Sequence, residues 1–256
     1  MPGVLDSFRL DGRVACVSGT TRGIGRTAAI ALAEAGCDIV HLDRSDPAGT
    51  RAEIESLGRR SALVELDLET ADAAACERAI EAATAAFGRL DILVNSAGVV
   101  ARGAVLDVTA EDALRVLHVD LICVLALARA AGRVFVPQGS GAIVNVASLL
   151  SFQGGILVSS YATAKHGVLG LTRALANEWA AHGVRVNAIA PGYIATDFNQ
   201  RLRDDPVRYK EMLDRIPAGR WGTPDDLAAT FVYLASPASA YMTGQIVTVD
   251  GGWMSR

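Results

Sequence analysis

The sequence predicts an α/β fold: a doubly wound sheet of about seven parallel strands with helices on both faces, in a single domain. Three observations predict it. Short apolar runs rich in β-branched residues recur from end to end of the 256-residue chain. Ala/Leu-rich segments of helical length separate them, and near-continuous apolar strands alternating with helices imply a parallel sheet covered on both faces. No Pro/Ser-rich linker, repeat or low-complexity segment interrupts the rhythm, so residues 1–256 read as one unit.

The strand candidates are, in order, "RVACVS" (13–18), "DIVHLD" (38–43), "SALVELD" (61–67), "DILVNS" (91–96), "GAIVNVAS" (141–148), "VRVNAIA" (184–190) and "QIVTVD" (245–250). Helical candidates lie near 24–35, 70–87, 110–135, 160–181 and 224–235. Right-handed crossovers join such strands through the helices. Residues 193–220, "YIATDFNQRLRDDPVRYKEMLDRIPAGR", break the pattern, being long, charged and strandless. Insertions of that length in compact domains are usually lids or binding loops, which makes 193–220 a candidate substrate lid.

Composition narrows the function classes. The chain is 51% hydrophobic and 20% charged with a net charge of −4, so nothing points to nucleic acid or an anionic membrane as partner. No uncharged apolar stretch reaches the ~20 residues of a membrane helix. The N-terminal "MPGVLDSFRLDGRVACVSG" lacks the basic segment, apolar run and cleavage site of a signal peptide. Cys16, Cys37, Cys76 and Cys123 are far apart and embedded in apolar segments, which reads as buried free thiols rather than disulfides or metal ligands. A cytoplasmic protein without a metal site is expected.

The first strand runs into "SGTTRGIG" (18–25). In a doubly wound sheet ligands bind beyond the carboxyl ends of the strands, and this turn is the first such place. Gly19, Gly23 and Gly25 let the backbone turn tightly and approach a pyrophosphate resting on the N-terminus of a helix that begins near Ile24. The second strand ends in Asp43, whose carboxylate can bond both ribose hydroxyls of NAD and would repel the 2′-phosphate of NADP. This is a Rossmann-like dinucleotide pattern, with NAD the expected cofactor. Arg22 and Arg44 keep NADP open, since each could meet a 2′-phosphate or be a solvated charge.

Further motifs follow in order: "NSAG" (95–98) after the fourth strand, Ser148 after the fifth, "YATAK" (161–165), and "NAIAPGYIATDF" (187–198) after the sixth. With "TTRGIG" they resemble the short-chain dehydrogenase/reductase family from about residue 8 to the end of the chain. The resemblance implies that Gly19, Arg22, Ile24 and Gly25 belong to the phosphate loop, that Asp43 meets the adenosine ribose and Asp67 the adenine. It implies that Asn95, Ala97 and Gly98 lie beside the cofactor, although Ser96 replaces the second Asn of the family motif. Pro191, Gly192, Ile194 and Thr196 correspond to the segment that holds the nicotinamide. Ser148, Tyr161 and Lys165 correspond to the catalytic residues, the last two also touching the cofactor.

The chemistry is sound on its own terms. A carbonyl accepting hydride develops negative charge on oxygen and needs a proton. A phenol with an ordinary pKa of about 10 is a poor acid–base group near neutrality unless its anion is stabilised. Lys165, one helical turn from Tyr161, supplies that stabilisation, and the Ser148 hydroxyl can polarise the substrate oxygen. One position departs from the family, where the helix after the fourth strand usually carries an Asn in the proton relay. Asp120, in "VLHVDLICVL", occupies that place, and no Asn occurs between residues 99 and 144. An ionised Asp120 near Tyr161 would disfavour tyrosinate and move the activity optimum to higher pH.

Within the family, "SLLSFQGG" (148–155), "LDRIPAGRWG" (213–222) and the ending "VDGGWMSR" resemble the branch acting on deoxy sugar acids. That implies NAD(H)-dependent interconversion of a keto group and a secondary alcohol. A sugar acid needs a cation for its carboxylate and polar partners for its hydroxyls. Arg102 and Gln153 are the candidates, joined by Ser148 and Tyr161. Arg201, Arg203, Arg208 and Arg215 in the lid are either further candidates or a solvated face paired with Asp204, Asp205, Glu211 and Asp214. Two other readings stay open: a ketoreductase on 3-oxoacyl thioesters, and a cofactor-binding scaffold or redox sensor without catalysis. The apolar helices 110–135 and 160–181, which related enzymes pair across two-fold axes, imply a homotetramer.

Overall fold

Along β1 (Val14–Ser18), Val14 and Cys16 pack into one helical layer while Ala15 and Val17 pack into the other, and every residue of the strand is buried. Successive strand side chains point to opposite faces, so a strand apolar at each position must be covered on both sides. β2 (Asp38–Asp43), β4 (Ile92–Asn95), β5 (Gly141–Val146) and β6 (Val184–Pro191) repeat the pattern, with β3 (Ser61–Glu65) and β7 (Ile246–Val249) at the edges. All pairings are parallel, in the order β3-β2-β1-β4-β5-β6-β7. The order reverses between β1 and β4, which opens a crevice at their carboxyl ends. The computed structural model describes residues 3–256, so the first two residues of the single-domain and N-terminal readings lie outside the described residues.

One layer is built from α3 (Ala73–Phe87), α5 (Cys123–Gln138) and α6 (Ser159–Trp179), the other from α1 (Gly23–Glu34) and α9 (Ala228–Ala235). α2 (Ala48–Ser56) joins the second layer through Ile54 and was absent from the helical candidates. It is short and buries only Thr50 and Ile54, too few residues for an apolar stripe to register. The 110–135 candidate is two helices, α4 (Ala110–Leu117) and α5, joined by a π-helical turn at His118–Ile122. A π-turn widens the backbone by one residue and often marks a functional site; here it carries Asp120.

The strandless segment folds as α7 (Gln200–Arg203) and α8 (Pro206–Leu213), the latter started by Asp205, whose side chain accepts from the Val207 and Arg208 N–H groups. It rests on an aromatic cluster of Tyr193, Trp221 and Trp253, with the Arg215 guanidinium 3.9 Å above the Trp253 ring. The four cysteines are free and buried, and burial pushes the Cys16 thiol up to about 12. No helix among the described residues is long and apolar enough to cross a membrane, and no metal-ligand cluster is gathered there.

Candidate active site

The crevice is shaped by glycine. Gly19 has φ +76°, and a Cβ there would stand 2.9 Å from Ala97 Cα. At Gly25 a Cβ would come within 2.1 Å of the Gly19 carbonyl oxygen. Bare backbone therefore lines the start of α1, and the N–H groups at a helix N-terminus suit an anion such as a phosphate. Ser18 Oγ accepts from the Ser96 and Ala97 N–H groups at 3.1 Å each, tying "NSAG" to the glycine loop. From the other side, a Cβ on Gly23 would meet Thr196 Cγ2 at 3.4 Å, so residues 191–196 cross over the loop. Gly192 allows this approach, because a Cβ would lie 2.6 Å from Asp250 Cα. Ile194 is buried and bridges to Gly222.

Polar groups in the crevice are held from behind. Asn95 Nδ2 donates to Asn145 Oδ1 at 2.9 Å, and Asn145 Nδ2 donates to Thr172 Oγ1 at 3.0 Å. Asn95 Oδ1 is buried without a protein partner. An orphaned acceptor beside a cradle that a methyl group would fill fits a bound dinucleotide. Asp43 accepts from Thr20 N–H at 2.9 and 3.2 Å and from the Thr20 hydroxyl at 2.5 Å. Burial pushes its carboxyl upward against those bonds. Beyond it, Arg44, Leu66, Asp67, Thr70 and Ala71 line a cavity of 340 Å³ at the ends of β2 and β3. Arg22 reaches the 193–220 segment instead, 3.0 Å from Asp197.

Tyr161 and Lys165 share one face of α6, with the ammonium 5.4 Å from the phenol ring centre. Lys165 Nζ donates to Val146 O at 3.0 Å and lies 3.2 Å from Asp120 Oδ2. Asp120 Oδ1 accepts from Val99 N–H at 2.8 Å, so this one carboxylate joins the loop after β4, the π-turn and α6. Ser148 lies two residues beyond β5 and accepts from Leu150 N–H at 3.1 Å. Ser151, which sequence reasoning missed, donates to the Lys165 carbonyl at 2.7 Å and so bolts this turn to α6.

Electrostatics in this cluster are dominated by burial. Burial pushes the Tyr161 phenol up; Lys165 opposes this, Asp120 adds to it, and a hydrogen bond with Ser148 opposes it, leaving the group above its ordinary value. For Lys165, burial works downward but Asp120 and Tyr161 together outweigh it, so the ammonium is held above its ordinary value. Burial likewise raises Asp120 against the pull of Lys165 and the Val99 N–H.

The candidate substrate residues are dispersed around this cluster. Arg102 is exposed and donates to Phe198 O in the 193–220 segment at 3.3 Å, while the Phe198 ring packs on Tyr161 with centroids 5.6 Å apart. Gln153 Oε1 accepts from the Trp253 indole at 3.2 Å, a contact no local pattern signals. Among the arginines of 193–220, Arg208 pairs with Glu211 at 3.3 Å and Arg203 donates to Thr196 O, while Arg215 stacks on Trp253. Asp214 pairs with Lys210 and Asp205 caps α8.

A family model described as Enoyl-(Acyl carrier protein) reductase matches residues 19–254. The chain is 47% identical to the 2-dehydro-3-deoxy-D-gluconate 5-dehydrogenase of Escherichia coli, covering 99% of this chain and 100% of that protein. It is 46% identical to the enzyme of the same name from Bacillus subtilis, covering 98% of each. A gluconate 5-dehydrogenase from Burkholderia cenocepacia, solved with NADP and tartrate, superposes with a TM-score of 0.95 at 37% identity, over 99% of this chain and 100% of that one. With the glycine cradle, the crevice at the sheet reversal and the ordered motifs, these matches establish that the chain belongs to the short-chain dehydrogenase/reductase family, as an oxidoreductase working with a nicotinamide cofactor on a small-molecule substrate.

Proposed function

We propose that the protein interconverts a keto group and a secondary alcohol on a sugar acid of the 2-dehydro-3-deoxy-D-gluconate type, with NAD preferred over NADP. The observation that carries the reaction is the meeting of Ser148, Tyr161, Lys165 and Asp120 beside the glycine cradle. The near-half identity to sugar-acid dehydrogenases over the whole chain supports the substrate class and weighs against 3-oxoacyl thioesters. The intact Ser148, Tyr161 and Lys165 weigh against a catalytically idle scaffold.

In this reading Gly19, Arg22, Gly23, Ile24 and Gly25 bind the pyrophosphate, Asp43 the ribose, and Asp67 the adenine. Asn95, Ala97, Gly98, Pro191, Gly192, Ile194 and Thr196 enclose the nicotinamide end. The cofactor, when bound, gives or takes the hydride. Tyr161 donates its proton to the alkoxide forming in reduction and, as tyrosinate, takes the hydroxyl proton in oxidation. Lys165 favours tyrosinate by charge, and the Ser148 hydroxyl donates to the substrate oxygen. Asp120 anchors the ammonium but opposes tyrosinate, which sets the working pH upward.

Arg102 takes the substrate carboxylate, Gln153 a hydroxyl, and residues 193–220 close over both. Asp43 is only 7% exposed at the end of β2, and a buried carboxylate there disfavours a 2′-phosphate. Arg44 stays open to solvent beside Glu69, and the Burkholderia cenocepacia enzyme holds NADP, so both nucleotides belong in the test. Leu114, Ile122 and Leu125 leave an apolar outer face on α4–α5, 64%, 50% and 41% exposed, which supports pairing of these helices in a homotetramer.

The deciding experiment follows NADH and NADPH absorbance against keto acids, deoxy sugar acids and 3-oxoacyl thioesters. Turnover is expected with the deoxy sugar acid and NAD(H). Activity confined to thioesters with NADPH would replace the substrate assignment, and nucleotide binding without turnover of any compound would overturn the enzyme reading.

A further inference from the structure

His41, in the middle of β2, is fully buried between apolar neighbours, and the chemistry above makes no use of it. Both ring nitrogens are bonded: Nδ1 lies 2.6 Å from Thr20 Oγ1 and Nε2 lies 3.0 Å from Ser61 Oγ. Thr20 Oγ1 also lies 2.5 Å from Asp43 Oδ2. An ionised carboxylate has no proton to give, so the threonine hydroxyl donates to Asp43 and accepts from His41. Nδ1 therefore carries the imidazole proton, and Nε2 accepts from the Ser61 hydroxyl. Burial agrees with a neutral ring, lowering His41 to about 4. The hydrogen bonds run one way, from Ser61 through His41 and Thr20 to Asp43. Thr50 on α2 grips the same loop, donating to Thr20 O at 2.9 Å.

We infer that His41 and Thr20 are positioning residues for nucleotide selectivity, their hydrogen-bond chain locking the Asp43 carboxylate at the ribose end of the crevice. The inference rests on the reading of Asp43 as the ribose residue. Ile39, Val40 and Leu42 show what this part of the sheet accepts, and an imidazole there is costly unless it is bonded. The chain fixes one carboxylate rotamer, so its charge stands at one place against a 2′-phosphate and its lone pairs are preset for two ribose hydroxyls. Without the Thr20 hydroxyl, Asp43 loses its shortest bond and keeps the Thr20 N–H and the longer 3.4 Å contact from the Thr21 hydroxyl, so its rotamer is held less tightly.

The test measures NADH and NADPH dissociation constants by nucleotide fluorescence on the whole enzyme. Thr20→Val keeps the side-chain shape without the hydroxyl, His41→Leu removes the donor, and His41→Asn keeps an N–H where Nδ1–H stands. Thr20→Val is expected to shift selectivity about tenfold toward NADPH, the worth of one hydrogen bond to a charged group, and His41→Leu to shift it less but in the same direction. His41→Asn is expected to hold the wild-type ratio. If Thr20→Val keeps that ratio while Asp43→Asn loses it, the relay is overturned and the ribose assignment stands. If Asp43→Asn also keeps it, the ribose assignment itself falls. Should His41→Leu fail to fold, Thr20→Val decides alone.

Discussion

Lys165 Nζ lies 3.2 Å from Asp120 Oδ2, with the two side chains only 5% and 0% exposed. A pair so buried gains little net stability, because desolvation offsets attraction, but it fixes geometry. Its two charges act on Tyr161 in opposite directions. Lys165 favours the phenolate, and Asp120 partly cancels that.

Asp120→Asn removes the cancelling charge and keeps the shape. Tyr161 then ionises at lower pH, so the acid limb of the oxidation pH–rate profile moves down. Superimposable profiles for the two enzymes would refute the role given to Asp120. Asp120→Ala, which strands Lys165 in the interior, is expected to cost about 3–5 kcal/mol in denaturant titrations.

Arg102→Ala tests carboxylate recognition. Losing one charge-assisted contact at an exposed site raises KM for the sugar acid about tenfold with kcat little changed. An unchanged KM removes Arg102 from the substrate site. Because Arg102 also holds Phe198 O, a matching fall in kcat would place its action in the lid instead.

Gly25→Ala probes the phosphate cradle. The added methyl meets the Gly19 carbonyl at 2.1 Å, and backbone cannot step aside as a flexible side chain would. NADH affinity is expected to fall at least about tenfold, or 1.4 kcal/mol, in a direct binding titration. Wild-type affinity would mean that the nucleotide does not rest on this turn.

Asp91 predicts the acid limb of stability. It accepts from Arg13 at 2.8 Å, Arg89 at 2.7 Å and Val14 N–H at 3.0 Å, and is 4% exposed. Burial would raise its carboxyl, but Arg89, Arg13 and the Val14 N–H outweigh it, so the group sits below its ordinary value. A depressed carboxyl contributes stability above its unfolded pKa of about 3.9, and that stability is lost as pH falls through the folded value. Asp91→Asn is therefore expected to cost about 1–3 kcal/mol at pH 7, discounted because both arginines are half-exposed, and to flatten the loss of stability below pH ~4. Equal acid sensitivity of the two proteins in urea titrations would contradict this.

Much of the fold was legible because its signals are local. Strand runs apolar at every position could only be two-faced, and each strand candidate forms within a few residues of its expected bounds. α2 escaped because two buried residues in nine make no stripe, and the π-turn escaped because no residue type marks a widened helix. The glycine loop and "YATAK" were equally legible, being close-approach and same-face requirements written in adjacent residues.

The sequence by itself determined the layered sheet, the cradle and the Tyr161–Lys165 pair, since each follows from backbone period or steric need over a few residues. Only the tertiary structure decided that Asp120 bonds Lys165, that Phe198 covers Tyr161, and that Gln153 holds a tryptophan 100 residues away. It also decided that His41 reaches Asp43 through Thr20. These contacts depend on rotamers chosen by packing between distant elements, and no periodicity along one chain encodes a rotamer.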